Sequence, residues 1–199
     1  MKNLKMLFIV ISIAILISNA SAQEAKTLFG SDTKLSFAWG LGTKVNSIQD
    51  ETGTLFDFFG GVLVNKSTII ALEGGLNVGH PTVNYGYLGL LGQYTYLPEK
   101  LFHGSAQILI ASGTTKDYEN EKSSLFDNYG NITGPGFFLI EPALNAELNL
   151  SQKTKLVMGL AYRVVSGLDE DHELISKTEV TNEDLSGLNL IIGVKIALY

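Results

Sequence analysis

The chain has 199 residues, no cysteine and a formal charge of −6. That length suits one domain, and the absence of cysteine excludes disulfides, thiolate chemistry and a cysteine-linked lipid anchor. An acidic balance without a basic patch argues against nucleic acid as a partner.

Residues 1–22 read as a cleaved secretory signal peptide. Lys2 and Lys5 form its charged start, Met6 to Ser18 its apolar core and Ala20-Ser21-Ala22 its cleavage site. The segment carries two lysines and no acid, so its removal takes the charge from −6 to −8. Residues 23–199 are then expected to form one domain. No later stretch approaches 18 consecutive apolar residues, so a membrane-embedded form would have to be a closed barrel.

After a polar lead-in at 25–32, Leu35, Phe37, Trp39 and Leu41 alternate with Ser36, Ala38, Gly40 and Gly42. A period of two means a strand. Residues 46–53 read as a polar connection. The second strand, 54–64, sets Phe56, Phe58 and Val62 against Asp57, Phe59 and Gly61, and 65–67 read as a tight turn. The third, 68–78, sets Ile70, Leu72 and Leu76 against Ala71, Glu73, Gly75 and Asn77. The fourth, 85–97, sets Leu88, Leu90, Tyr94 and Tyr96 against Tyr87, Gly89, Gln93 and Thr95. After the turn at 98–100, the fifth strand, 101–114, opposes Phe102, Ala106, Ile108 and Ile110 to His103, Ser105, Gln107 and Ala111.

A long polar connection, 116–135, precedes the clearest hairpin. From Phe138 to Leu150 every even position is apolar, against Leu139, Glu141, Ala143, Asn145, Glu147 and Asn149. Beyond residues 151–154, Leu156, Met158, Leu160, Tyr162 and Val164 oppose Lys155, Val157, Gly159, Ala161 and Arg163. Runs of this length exceed the five or six residues usual in soluble sheets and suit tilted membrane crossings. A second long connection, 167–184, leads to strand eight at 185–199, with Leu188, Leu190, Ile192, Val194, Ile196 and Leu198 opposite Asn189, Gly193, Lys195 and Ala197.

The expected fold is all-β: an eight-stranded antiparallel up-and-down transmembrane β-barrel. Connections after strands two, four and six are short, and those after one, three, five and seven longer, the alternation seen in outer-membrane barrels. Tyr94, Tyr96, Phe102 and Tyr199 are expected near the short-turn end. Trp39, Phe56, Phe58, Phe138 and Tyr162 are expected nearer the long-connection end, as two aromatic girdles. Pro142 lies inside strand six and lacks a ladder donor, which predicts a bulge or a place near the rim.

With Glu141-Pro142, Tyr162-Arg163, Ser166-Gly167 and Leu185-Ser186-Gly187-Leu188 in view, the mature chain resembles the small bacterial outer-membrane β-barrel proteins of the OmpA-barrel/OmpX type. One departure stands out. Such chains end in an aromatic of the outward series, whereas counting back from Tyr199 reaches Ala197 and Lys195 on the polar face, which implies an imperfect assembly signal or a bulge.

An eight-stranded barrel is narrow enough for its lumen to be filled by side chains. The expected inward polar set is Asp57, Glu73, Gln93, His103, Gln107, Glu141, Asn145, Glu147, Arg163 and Lys195. Buried charges must pair, so Arg163, Glu141, Glu73, Glu147 and Lys195 are expected to form a structural lumen network. Within it, Arg163 should bridge to Glu141, with Glu73 as a further partner.

His103-Gly104-Ser105 superficially matches a lipid-deacylating barrel, but His103 should face inward. His172 sits among seven acids of the last connection, a pattern that fits a protease pair or a calcium site poorly and a solvated surface well. The expectation is a non-enzymatic outer-membrane protein, without catalytic residues, metal or cofactor. It would serve envelope structure, adhesion or binding. A barrel enzyme acting on lipid or peptide, and a narrow channel or small-ligand carrier, are the alternatives. Expected partners are outer-membrane lipid, the barrel-assembly machinery and an extracellular ligand met through connections 116–135 and 167–184; the expected state is a monomer.

Overall fold

A computed structural model describes residues 33–48, 51–77, 83–117, 136–168 and 180–198. The expected signal peptide, Tyr199, His172 and most of the two long connections lie outside them. The described residues form eight strands: β1 Leu35–Ile48, β2 Glu51–Val64, β3 Thr68–Asn77, β4 Val83–Tyr96, β5 Phe102–Asp117, β6 Gly136–Asn149, β7 Thr154–Ser166 and β8 Gly187–Leu198. Each pairs antiparallel with the next and β8 returns to β1, which closes an up-and-down barrel.

The two-residue period decides which side chain faces which way. In β6 the alternation is unbroken: Phe138, Ile140, Pro142, Leu144 and Ala146 are exposed, while Leu139, Glu141, Ala143, Asn145 and Glu147 are buried. The same polarity runs round the barrel. Leu41, Leu72, Leu90, Leu144 and Leu188 are each more than half exposed, whereas Lys44, Glu73, Glu141, Glu147 and Arg163 are at most 1% exposed. The apolar surface is outside and the charge inside.

Short turns are built from local geometry. At Val64–Ser67 the Ser67 N–H donates to the Val64 carbonyl (3.1 Å), and Asn65 and Lys66 both take positive φ, 51° and 62°. Two left-handed central residues match the twist of a two-residue hairpin.

Four expectations need correction. The polar stretch 46–53 is not a loop, because β1 continues to Ile48 and β2 begins at Glu51, with Asn46 opposite Gly53. Asn46 continues the inward series at the rim, and only the connections after β5 and β7 are long, since the one after β3 spans five residues, as many as the turn after β4. Strand eight starts at Gly187 rather than at Leu185. Leu185 ends a one-turn helix, α1 (Asn182–Leu185), closed at its start by a capping box between Thr181 and Asp184. Leu185 is buried in an apolar cluster with Ile48, Leu55, Val83, Phe137 and Val165, all near the long-connection end. The Ser186 hydroxyl and the Asn182 amide oxygen accept from Val165 N and Leu168 N (2.9 and 3.0 Å), which seats this turn on β7.

Pro142 makes no bulge and lies mid-strand. Ile140 pairs with Val164 and Ala143 with Ala161, so the register is the same on both sides of it. Pairing is absent only at Glu141–Arg163 and Pro142–Tyr162, the two steps that need an N–H on residue 142 donating to the Tyr162 carbonyl. The aromatics also depart from two clean girdles. Trp39 is the fifth residue of a β1 that starts at the short-turn end, and Phe58 sits at mid-strand. In β8 the alternation holds from Leu188 to Leu198 without a bulge.

The charged lumen as candidate functional site

The inward polar residues gather in two layers. The upper one, nearer the long connections, is centred on Lys44. Its ammonium donates to Glu73 Oε1 (2.7 Å), Glu141 Oε1 (2.6 Å) and the Tyr87 hydroxyl (3.0 Å). Tyr87 in turn donates to Glu73 Oε1 at 2.9 Å. Arg163 approaches from β7: its Nε donates to Glu141 Oε2 (2.7 Å) and its Nη1 to the Tyr85 hydroxyl (2.7 Å). The guanidinium also lies 5.5 Å from the ring centres of both Tyr85 and Tyr87, within cation–π range. Asn189 Nδ2 donates to Glu141 Oε2 at 3.1 Å, so Glu141 serves two cations and an amide.

The lower layer, nearer the short turns, is centred on Glu147. Its Oε1 accepts from Lys195 Nζ (2.6 Å), Ser105 Oγ (2.6 Å) and Gln93 Nε2 (2.7 Å). Its Oε2 faces His103 Nε2 at 3.1 Å and Lys155 Nζ at 4.0 Å. The other His103 nitrogen, Nδ1, faces the Lys100 carbonyl at 2.9 Å and must donate to it. Asn145 Nδ2 donates to Gln107 Oε1 (3.0 Å) and extends the layer along β5.

The expected single network is therefore two, and Lys44, the centre of the upper one, is not among the expected residues. Arg163 meets Glu141 as the spacing implied, but Glu73 is engaged by Lys44 instead. Lys195 and Glu147 belong to the lower layer. Lys44 was detectable: it continues the inward series Ser36, Ala38, Gly40, Gly42 once β1 is allowed to run on. Lys155 was on the correct face but not among the lumen charges. Asp57 folds across its partner Gly42, where a methyl group would stand 2.7 Å from the carboxylate; its Oδ1 and Arg163 Nη2 have no hydrogen-bond partner.

A cavity of about 40 Å³ lies between the layers, bordered by Asp57, Glu73, Gln93, Gln107 and Lys195. That volume has room for about two or three waters. Four cations (Lys44, Lys155, Arg163, Lys195) face four carboxylates (Asp57, Glu73, Glu141, Glu147), so the lumen is formally neutral.

This chemistry suits cross-bracing better than turnover. Glu147 stands between Ser105 and His103, whereas nucleophilic catalysis needs the histidine between serine and acid. Among the described residues no group of three or more histidine, aspartate or glutamate side chains is placed to hold a metal.

No protein-family model and no curated protein sequence matches the chain. Solved structures do. Neisserial surface protein A, NspA, superposes with a TM-score of 0.56 at 10% identity, covering 82% of this chain and 97% of that one. The N-terminal β-barrel domain of Pseudomonas aeruginosa OprF gives a TM-score of 0.52 at 13% identity, with coverage of 82% and 97%. The fold is that of the eight-stranded outer-membrane barrels. At these identities the likeness carries the fold alone, and what the chain does has to be argued from its own surfaces.

Proposed function

We infer that the chain is an integral protein of the bacterial outer membrane. Its barrel is a sealed, non-enzymatic scaffold that holds its long connections outside the cell. One observation carries this reading: the barrel is inverted in polarity, with large apolar side chains outside and paired charges within. In water that outer surface would be an aggregation hazard far above the few hundred Å² of apolar patch usual on a soluble monomer. In hydrocarbon it is the required solvent match, and the closed ladder leaves no unpaired edge. The paired lumen and the Leu185 cluster near its outer end support a plug rather than a pore. The connections 116–135 and 167–184 then supply contacts for adhesion or binding.

Fractionation with gel mobility tests this. The chain should be found in outer membranes and run faster unheated than boiled, because the intact barrel resists detergent. Recovery as a soluble periplasmic protein with one mobility would overturn the reading.

A further inference from the structure

Among the described residues, the short-turn end of the barrel carries a charge pattern opposite to that of the chain as a whole. One exposed lysine stands at each quarter of this end: Lys34 before β1, Lys66 in the β2–β3 turn, Lys100 in the β4–β5 turn and Lys153 in the β6–β7 turn. Hydrogen bonds accepted by their backbone carbonyls tie three of these sites to the neighbouring strands. Asn65 N donates to the Lys34 carbonyl (2.9 Å), Asn149 Nδ2 to the Lys100 carbonyl (2.7 Å) and Ala197 N to the Lys153 carbonyl (2.8 Å). Lys66 sits in the Val64–Ser67 turn, which Thr95 N holds through the Ser67 carbonyl (2.7 Å), so the four positions form an annulus. Glu99 is an exposed acid at this level, and it is shared with Lys66 at 3.1 Å.

A second feature says what surrounds the annulus. Leucines occupy the same turns and are left open: Leu97 is 49% exposed, Leu101 61% and Leu150 58%. Immediately inside them, Tyr96 and Phe102 point outward from the strand ends. Leucines at turn tips are misplaced in water. With aromatics beneath and lysines able to reach past them, they mark turns lying at the headgroup level of a bilayer.

We propose that this lysine annulus binds the anionic phosphate headgroups of phospholipids in the leaflet at the short-turn end. The inference rests on the outer-membrane reading above. Its sign is what makes it testable: a chain of charge −6, or −8 without residues 1–22, should be repelled by an anionic bilayer unless the lysines at this end dominate.

The experiment compares folding of the purified protein into phosphatidylcholine vesicles with and without phosphatidylglycerol, read by gel mobility and urea midpoint. The wild type should gain from the anionic lipid, by roughly fivefold in folding equilibrium per lysine engaged, and lose that gain in high salt. Replacing Lys34, Lys66, Lys100 and Lys153 with glutamine should abolish the gain, whereas arginine at the same positions should keep it. The proposal is overturned if the wild type gains nothing, or if the glutamine variant gains as much. Failure to insert into either vesicle would instead overturn the membrane reading itself.

Discussion

Arg163 and Glu141 stand opposite each other across the β6–β7 seam, and their side chains meet at 2.7 Å where the backbone ladder between the strands is interrupted. The side-chain pair bridges the gap that Pro142 leaves. Glu141 is 0% exposed and is also held by Lys44, so one carboxylate links β1, β6 and β7 across the lumen.

Removing that carboxylate should be costly. Glu141→Ala leaves the buried Arg163 and Lys44 short of counter-charge, which destabilises by about 3–5 kcal/mol. Urea unfolding in lipid vesicles measures it. A loss below 1 kcal/mol would mean that the upper layer is hydrated enough to do without its centre.

Lys44 should behave as a coupled element rather than an independent one. Lys44→Met strands Glu73 and leaves Glu141 with Arg163 as its one cation, at a cost of similar size. Adding Glu73→Gln should recover part of that loss, because the variant then buries one unpaired carboxylate fewer. A double-mutant cycle reads the coupling; strict additivity would contradict the 2.7 Å contact.

Pro142→Ala should stabilise. The new N–H can donate to the Tyr162 carbonyl and complete the seam, worth about 0.5–1.5 kcal/mol in water and more in hydrocarbon. Loss of the proline's restriction on the unfolded chain offsets about 0.4–1 kcal/mol. Hydrogen exchange should show a protected amide at position 142; a freely exchanging one would mean that the seam stays open for another reason.

Two glycines separate packing from mere tolerance. A methyl group on inward Gly89 would collide with the Ile110 carbonyl and with Ala111, whereas on outward Gly92 its nearest neighbour is 3.8 Å away. Gly89→Ala should cost about 1–3 kcal/mol and Gly92→Ala almost nothing. Equal effects would contradict the register of β4.

Much of this was legible in the sequence, for a physical reason. A strand between an apolar exterior and a charged interior must alternate, so Phe138 to Asn149 could be assigned face by face. Asn46 and Leu185 misled because composition was taken for structure. A polar residue at the rim can face inward, as Asn46 does in donating to the Tyr85 hydroxyl. An apolar residue beside a strand can belong to a helical turn, as Leu185 does; the Thr181–Asp184 capping spacing was its signal. The partners of Lys44 were out of reach in a different way. Glu73 and Glu141 lie on β3 and β6, and only closure of the barrel brings them to one atom.

The central claim is that the outer face of the barrel meets lipid, and the chain supplies its own probe. Trp39 is the sole tryptophan and points outward, 37% exposed. In vesicles of brominated phospholipid its fluorescence should be strongly quenched, with blue-shifted emission that soluble acrylamide barely affects. Emission near that of tryptophan in water, quenched by acrylamide and indifferent to bromine, would contradict the account.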